Sequence, residues 1–481
     1  MVNRILNFLN KGVLGVHEAA YVLAFSAFLS QLLGLFRDRL LAHSFGAGAA
    51  LDVYYAAFRI PDLIVASVAS IVSLSVLIPF LADKMESEPD DSRSFISRIF
   101  SFYLLLVLAV SAVVYFAVPF LSGYLFPGFS PEDQARWILM TRIFLLSPVF
   151  FGLSNLFASV TQVFRKFFIY ALSPILYNLG IILGIIFLYP AFGPKGLAYG
   201  VVLGAFFHLA VQMPFISKAG FWPRFTAAFD FGEIRRVVFL SLPRTAALSA
   251  GNIAELFLFS SASVIGVGAI SVFNLALNIQ SVPVSIIGAS YSVAAFPTLA
   301  KMFSRGEKKE FLEQMGAAAR HIFFWSAPAL SLLIVLRAHV VRVVLGSGKF
   351  DWTATRLTAG AAALFAVSVL AQCLVLLFLR GYYAAGQTRK PLFINILSSL
   401  VIIASSYFFV KLFAGISSAK YFFEFLLRVE DISGTGVLAL PLGYSVGFLF
   451  NAALLWIYFE KDFKGFSRSV RAFQVFQNQK R

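Results

Sequence analysis

The sequence predicts an all-α polytopic membrane protein with about twelve transmembrane helices in two six-helix lobes related by a parallel repeat. Three observations carry this: an apolar composition, a series of apolar windows each long enough to cross a bilayer, and an internal similarity at an offset of six windows. Of the 481 residues, 59% are hydrophobic and 13% charged, against about 45–50% and about 25% in soluble domains. The mean hydropathy is +0.84, and there are 56 phenylalanines, read here as lipid-facing packing. The apolar runs exceed the roughly 10-residue alternating strands of an outer-membrane barrel.

Windows of about 20 apolar residues mark spans, and twelve are found: 19–42, 52–81, 99–126, 135–160, 167–190, 195–217, 234–262, 267–299, 318–345, 354–380, 391–414 and 436–459. Pro61, Pro119, Pro148, Pro174, Pro283 and Pro328 fall inside them, where neighbouring helices re-satisfy the freed carbonyls. No small-residue cleavage site precedes the first run, so it is read as a retained span. The net charge of +16 would suggest nucleic acid in a soluble protein. Here the basic residues sit in short loops, as the positive-inside rule requires, and no nucleic-acid partner is expected. Lys84, Arg93, Arg98, Arg165, Lys166, Lys218, Arg224, Arg235, Arg236, Lys301, Arg305, Lys308, Lys309, Arg389 and Lys390 occupy alternate loops, with Arg4 and Lys11 before span 1 and a basic tail after span 12. The intervening loops are nearly bare, which places both termini in the cytoplasm.

Residues 45–85 resemble 265–303: each turns on Gly-x-Gly and ends in Pro plus a basic loop. A weaker echo relates 163–184 to 386–406. The offset of about 220 residues is six spans, an even number, so the halves share one orientation, as in transporters whose site lies between two lobes. The expected organisation is an N-lobe at 1–217, a cytoplasmic linker at 218–233 broken by Pro223, a C-lobe at 234–460 and a basic tail at 461–481.

Catalytic signatures are absent. Five histidines are scattered, and Cys373 is the single cysteine, so no disulfide or cysteine-based metal site forms within one chain. No metal, cofactor or enzymatic activity is expected. Gly346-Ser347-Gly348-Lys349 lacks the upstream glycine of a phosphate loop, since Val343 stands there, and is read as an outer turn.

The informative stretch is 26–62, where Arg37, Asp38, Arg39, Asp52, Arg59 and Asp62 lie in or beside apolar runs. An Arg or Asp at the bilayer centre costs about 2.5–3.5 kcal/mol on insertion scales, so these groups should face a polar cavity. Ser26, Ser30, Gly34 and Arg37 share one helical face, and Asp52, Tyr55, Arg59, Asp62 and Ala66 share another. Arg37 and Arg59 are the expected cavity contacts, held in place by Asp38 and Asp62. Arg39 reads as snorkelling to the interface. Asp52 reads equally as the N-cap of span 2 or as cavity wall. Arg244, at the start of span 7, either snorkels or joins the site, with Glu255 on the same face. Asn252, Asn274, Asn278 and Gln280 should face the interior, and Arg142, Arg337 and Arg342 read as interfacial. A net-basic cavity without catalytic groups suits an anionic amphiphile, because arginine forks match phosphate oxygens.

These motifs resemble a known family. Ser30 to Asp38 (SQLLGLFRD), Phe45-Gly46-Ala47-Gly48, Asp52 and Phe58-Arg59-Ile60-Pro61-Asp62-Leu63 are similar to the N-terminal signature of the MurJ (MviN) lipid II flippases of the MOP transporter superfamily. The resemblance continues through Ser173 to Asn178, Gly196 to Gly204, Ala294 to Pro297, Leu345 to Asp351 and Tyr382 to Pro391. It implies alternating access by two lobes. The cargo it implies is lipid II, the undecaprenyl-diphosphate-linked peptidoglycan precursor, moved to the outer leaflet of the bacterial cytoplasmic membrane. By the same resemblance Arg37, Asp38 and Asp52 match functional positions; the reading of the residues themselves extends the candidate substrate site to Arg59, Asp62, Arg244 and Asn278. Membrane lipids and cell-wall synthesis enzymes are the implied partners. The chain departs from the pattern at Gln31 and Asn278, where the family has arginines, at Ile64-Val65-Ala66, where it has basic residues, and at Gln387, where it has Asp. Twelve spans stand where members usually have fourteen. The alternatives are a flippase for another lipid-linked glycan, a cation-coupled multidrug exporter, and a membrane scaffold without transport activity.

Overall fold

The computed structural model describes residues 16–69, 74–87 and 89–471, and every regular element among them is helical. Among the described residues, nine helices are long and apolar enough to cross a membrane. They become ten if Trp352–Ala366 and Val369–Ala384, bent by 44°, form one span. These ten coincide with expected spans 3 to 12. Span 1 is the 30-residue helix Val16–Phe45. Span 2 is divided into Ala49–Ala57, Arg59–Ser67 and Leu74–Ser87, with residues 70–73 outside the described residues.

Two of the breaks follow from proline. A proline ring clashes with the carbonyl four residues back. Helix Ala49–Ala57 stops four residues before Pro61, and helix Pro131–Phe144 stops four before Pro148. In each case a new helix begins two residues later, at Arg59 and at Leu146. The second bend is tied down by Tyr103, whose hydroxyl donates to the Pro148 carbonyl at 2.5 Å. Pro119, Pro174 and Pro328 sit within continuous helices. Pro283 closes an α-helix that runs on as the π-helical turn Val284–Ala289.

The chain forms two compact units. One holds the described residues up to Leu41 together with Ala49–Leu256; the other holds Ala42–Gly48 and the described residues from Phe257 onward. In lipid, helices gain nothing from hydrophobic association and pair where small residues let backbones approach. In the first unit, helices Phe167–Leu183 and Pro194–Ala210 meet through glycines. A Cβ on Gly180 would stand 2.3 Å from the Gly204 Cα, and one on Gly200 would stand 2.5 Å from the Gly184 Cα. In the second unit the equivalent pair, Arg389–Gly415 and Ala439–Phe463, meets at Gly443 against Ser406 and Gly447 against Ile402. Spans 5 and 6 and spans 11 and 12 thus each pack closely at glycines.

The aromatic residues are only partly lipid-facing. Phe25, Phe116 and Phe120 are exposed, but Phe311, Phe378, Phe459 and Phe466 are buried in the second unit, with Phe459 and Phe463 ring centroids 4.5 Å apart. Aromatic content therefore serves interior packing as well as the lipid surface. Gly346-Ser347-Gly348-Lys349 is a turn. Gly348 takes a left-handed φ of +57°, which lets it lie against the His43 carbonyl, and the Lys349 amide donates to that carbonyl at 2.9 Å.

Candidate functional site

The polar stretch 26–62 folds into two arginine-centred groups in the first unit. Arg37, on helix Val16–Phe45, donates from Nε and Nη2 to Asp38 Oδ1 at 3.0 and 2.8 Å, and from Nη1 to Asn178 Oδ1 at 3.1 Å. Asp38 is 2% exposed, so its charge is sustained by the arginine that it in turn orients. Asn178, from helix Phe167–Leu183, donates to the Ser30 carbonyl and hydroxyl at 3.3 and 3.2 Å and to the Pro174 carbonyl at 3.2 Å. A Cβ on Gly34 would lie 3.9 Å from Asn178 Oδ1. The small-residue stripe on span 1 therefore admits span 5, and Ser30, Gly34 and Arg37 converge on one amide.

Arg59 begins the helix that follows the Pro61 break. Its Nη2 lies 3.3 Å from Asp62 Oδ2, and its Nη1 donates to Glu255 Oε2 at 2.8 Å. Glu255 belongs to helix Phe231–Ile265, 196 residues away. The Arg59 side chain is 12% exposed, against 41% and 34% for the two carboxylates. Tyr177, next to Asn178, lies within electrostatic reach of both Arg37 and Asp62. Tyr54 and Tyr55 lie within reach of Arg37.

The other expected residues fall as follows. Asp52 is buried in the first turn of helix Ala49–Ala57. The helix begins three residues before it, so Asp52 is not the N-cap; it stands where a carboxylate favours the helix dipole. Arg244 is exposed on helix Phe231–Ile265, within electrostatic reach of Tyr170. Asn278 is half-buried in the second unit, on helix Ala269–Pro283, where its backbone carbonyl accepts from Ser281 Oγ at 2.7 Å. Nearby on that helix Gln280 is buried and accepts from Gln372 Nε2 at 3.0 Å. Sequence reasoning did not anticipate Asn178 as the organiser of Arg37, or Glu255 as a partner of Arg59. A lone Asn in apolar span 5 was the available signal for the first.

In the first unit Arg37, Arg59 and Arg244 are accompanied by Asp38, Asp52, Asp62 and Glu255. Arg37 and Arg59, the expected contacts, both engage carboxylates. Among the described residues, no group of three or more His, Cys, Asp or Glu could hold a metal ion.

Comparison with known proteins places this architecture. The family model described as "Lipid II flippase MurJ" matches residues 41–477. The lipid II flippase MurJ of Burkholderia cenocepacia is 27% identical over 393 residues, covering 80% of this chain and 76% of that protein. The probable lipid II flippase MurJ of Rickettsia prowazekii is 24% identical over 452 residues, covering 93% and 84%. Among solved structures, a lipid II flippase MurJ in an inward closed conformation superposes with a TM-score of 0.74 at 21% identity, covering 95% of this chain and 93% of that one. An inward-facing multidrug resistance MATE family transporter of the MOP superfamily gives 0.72 at 15% identity, covering 93% and 99%. The chain belongs to the MurJ lipid II flippase family, a family of multi-pass membrane transporters.

Proposed function

We propose that this chain flips the lipid-linked peptidoglycan precursor, lipid II, from the inner to the outer leaflet of the bacterial cytoplasmic membrane by alternating access. The observation that carries the reading is the family match over residues 41–477; just before that range, span 1 presents Arg37, fixed by Asp38 and Asn178. In this reading two lobes, 1–217 and 234–460, joined by the linker 218–233, alternate around the substrate, and 461–481 is a cytoplasmic tail. Arg37 and Arg59 contact the diphosphate; Asp38 and Asp62 orient them; Asp52, Arg244 and Asn278 complete the site. Both termini are cytoplasmic, supported by the distribution of Lys and Arg among the loops. The protein acts as a transporter rather than a catalyst and works beside cell-wall synthesis enzymes. The test is complementation of a flippase-depleted strain. The native chain restores growth, while Arg37→Ala inserts and fails to do so. Normal growth on Arg37→Ala removes that residue from the mechanism.

A second reading, a cation-coupled multidrug exporter, is favoured by one observation, the two carboxylates that converge on Arg59. Native mass spectrometry of the purified protein separates the two. A co-purifying undecaprenyl diphosphate lipid supports the first, and its absence together with cation-driven dye export supports the second.

A further inference from the structure

The resident carboxylates change what binding at Arg59 must involve. The Arg59, Asp62 and Glu255 group sums to one negative charge, and the guanidinium is its least exposed member. An anionic head group approaching this group meets two half-exposed carboxylates before it meets the arginine. A guanidinium presents its donors as a planar fork, and one carboxylate or one phosphate face fills an edge of it. Glu255 Oε2 already takes Nη1 at 2.8 Å, and Asp62 lies beside Nη2 at 3.3 Å.

The two carboxylates are not equivalent. Asp62 is three residues from Arg59 on the same helix, so it remains close in any arrangement of that helix. Glu255 comes from helix Phe231–Ile265, 196 residues away in sequence. A modest shift of that helix or a change of Glu255 rotamer frees Nη1 without disturbing Asp62. The Arg37 fork is held differently. Its carboxylate, Asp38, is the adjacent residue and is buried, and its third bond goes to the neutral Asn178. The displaceable counter-ion is therefore Glu255.

We propose that Glu255 is an internal stand-in for the substrate's diphosphate: it occupies Arg59 in the unloaded protein, and the head group binds by displacing it. This rests on the reading of the chain as a flippase for a diphosphate-linked lipid and adds to it a specificity rule. A ligand must carry enough negative charge to compete with a resident carboxylate, so a diphosphate binds and a neutral or monoanionic lipid does not. Glu255 then also limits how tightly cargo is held, because it returns to Arg59 as the cargo leaves.

The test is equilibrium binding of undecaprenyl diphosphate to the purified full-length chain in lipid nanodiscs, for the native sequence, Glu255→Gln, Arg59→Gln and the double variant. Native protein binds, and Arg59→Gln weakens binding about tenfold. Glu255→Gln strengthens it about tenfold, equivalent to about 1.4 kcal/mol, and has no effect once Arg59 is Gln. If Glu255→Gln does not insert, Glu255→Leu removes the same charge and gives the same direction. Unchanged or weaker binding by the Glu255 variants, with native and Arg59→Gln behaving as stated, overturns the stand-in role while leaving the flippase reading intact. No binding of undecaprenyl diphosphate by the native protein overturns both.

Discussion

Replacing Asn178 with leucine tests whether span 5 sets the position of Arg37. Leucine has the same branched shape as asparagine and suits an apolar span, so the substitution removes the hydrogen bonds while keeping the outline of the side chain. It deletes the acceptor for Arg37 Nη1 at 3.1 Å and the amide donor to Ser30 and Pro174. A hydrogen bond to a charged group contributes about 1.5–3 kcal/mol. The salt bridge to Asp38 at 2.8 Å survives, so the guanidinium stays charged and pivots about one anchor. The expected loss of stability is about 2 kcal/mol, read as a lower unfolding temperature in detergent. The expected loss of transport is about tenfold, the effect of about 1.4 kcal/mol of lost positioning, read as slower growth of a flippase-depleted strain at matched protein level. Asn178→Asp keeps an acceptor for Nη1 but sets a carboxylate oxygen against the Ser30 and Pro174 carbonyls, so the Arg37 bond survives while stability falls. Full growth and an unchanged unfolding temperature for Asn178→Leu would show that Arg37 is placed by Asp38 alone.

Three further outcomes follow from other parts of the structure. Lys84 and Arg98 form a ring with Asp91 and Glu233, in which Glu233 lies 2.8 Å from Lys84 and 3.0 Å from Arg98 and is 10% exposed. Glu233→Gln leaves two cations sharing one carboxylate and costs about 1–2 kcal/mol, with a smaller cost at high salt because screening relieves the repulsion; an equal cost at all salt concentrations refutes the electrostatic account. Gly200→Val forces a side chain to within about 2.5 Å of the Gly184 Cα and costs about 3 kcal/mol or more, seen as loss of folded protein. Gly123→Ala, with nothing within 4 Å of the added Cβ, is neutral. In the loop at 428–434, Arg356 donates to Asp431 at 2.6 and 2.8 Å, and this bond holds the carboxyl below its ordinary range. A depressed folded value means that the contact is intact above the unfolded value of about 3.9 and is lost as pH falls through the lower folded one. Hydrogen exchange in 428–434, corrected for intrinsic rates, is therefore constant from pH 7 to about 5 and rises only below about 4. A rise near neutral pH points to a different titrating group.

Most of the architecture was legible because its determinants are local in sequence. A span is about 20 apolar residues, and expected spans 3 to 12 each meet a described helix or helix pair. The break in span 2 was harder to read, because proline inside a membrane helix has two outcomes. Pro119 and Pro174 are absorbed without interruption, while Pro61 and Pro148 end a helix four residues earlier. Nothing in the proline's own neighbourhood in sequence separates the two outcomes.

The site shows the same division more sharply. That Arg37 and Arg59 need polar company follows from the cost of a charge in lipid, and Asp38 and Asp62 could be assigned because they are one and three residues away. Asn178 lies 141 residues from Arg37, and Glu255 lies 196 from Arg59. No periodicity connects such pairs; only the folded chain brings them together. Such a distant partner is why Glu255 was not legible beside Arg59, although in the folded first unit Arg37 and Arg59 both engage carboxylates. A protein that carries a polyanion across lipid gains from this arrangement. An unpaired arginine in the span would be costly between cargoes and would hold each cargo too firmly, whereas an arginine shared with a displaceable carboxylate is stable when empty and releases what it binds. Charge compensation at Arg59 is therefore compatible with anion transport, provided that one of the carboxylates can move.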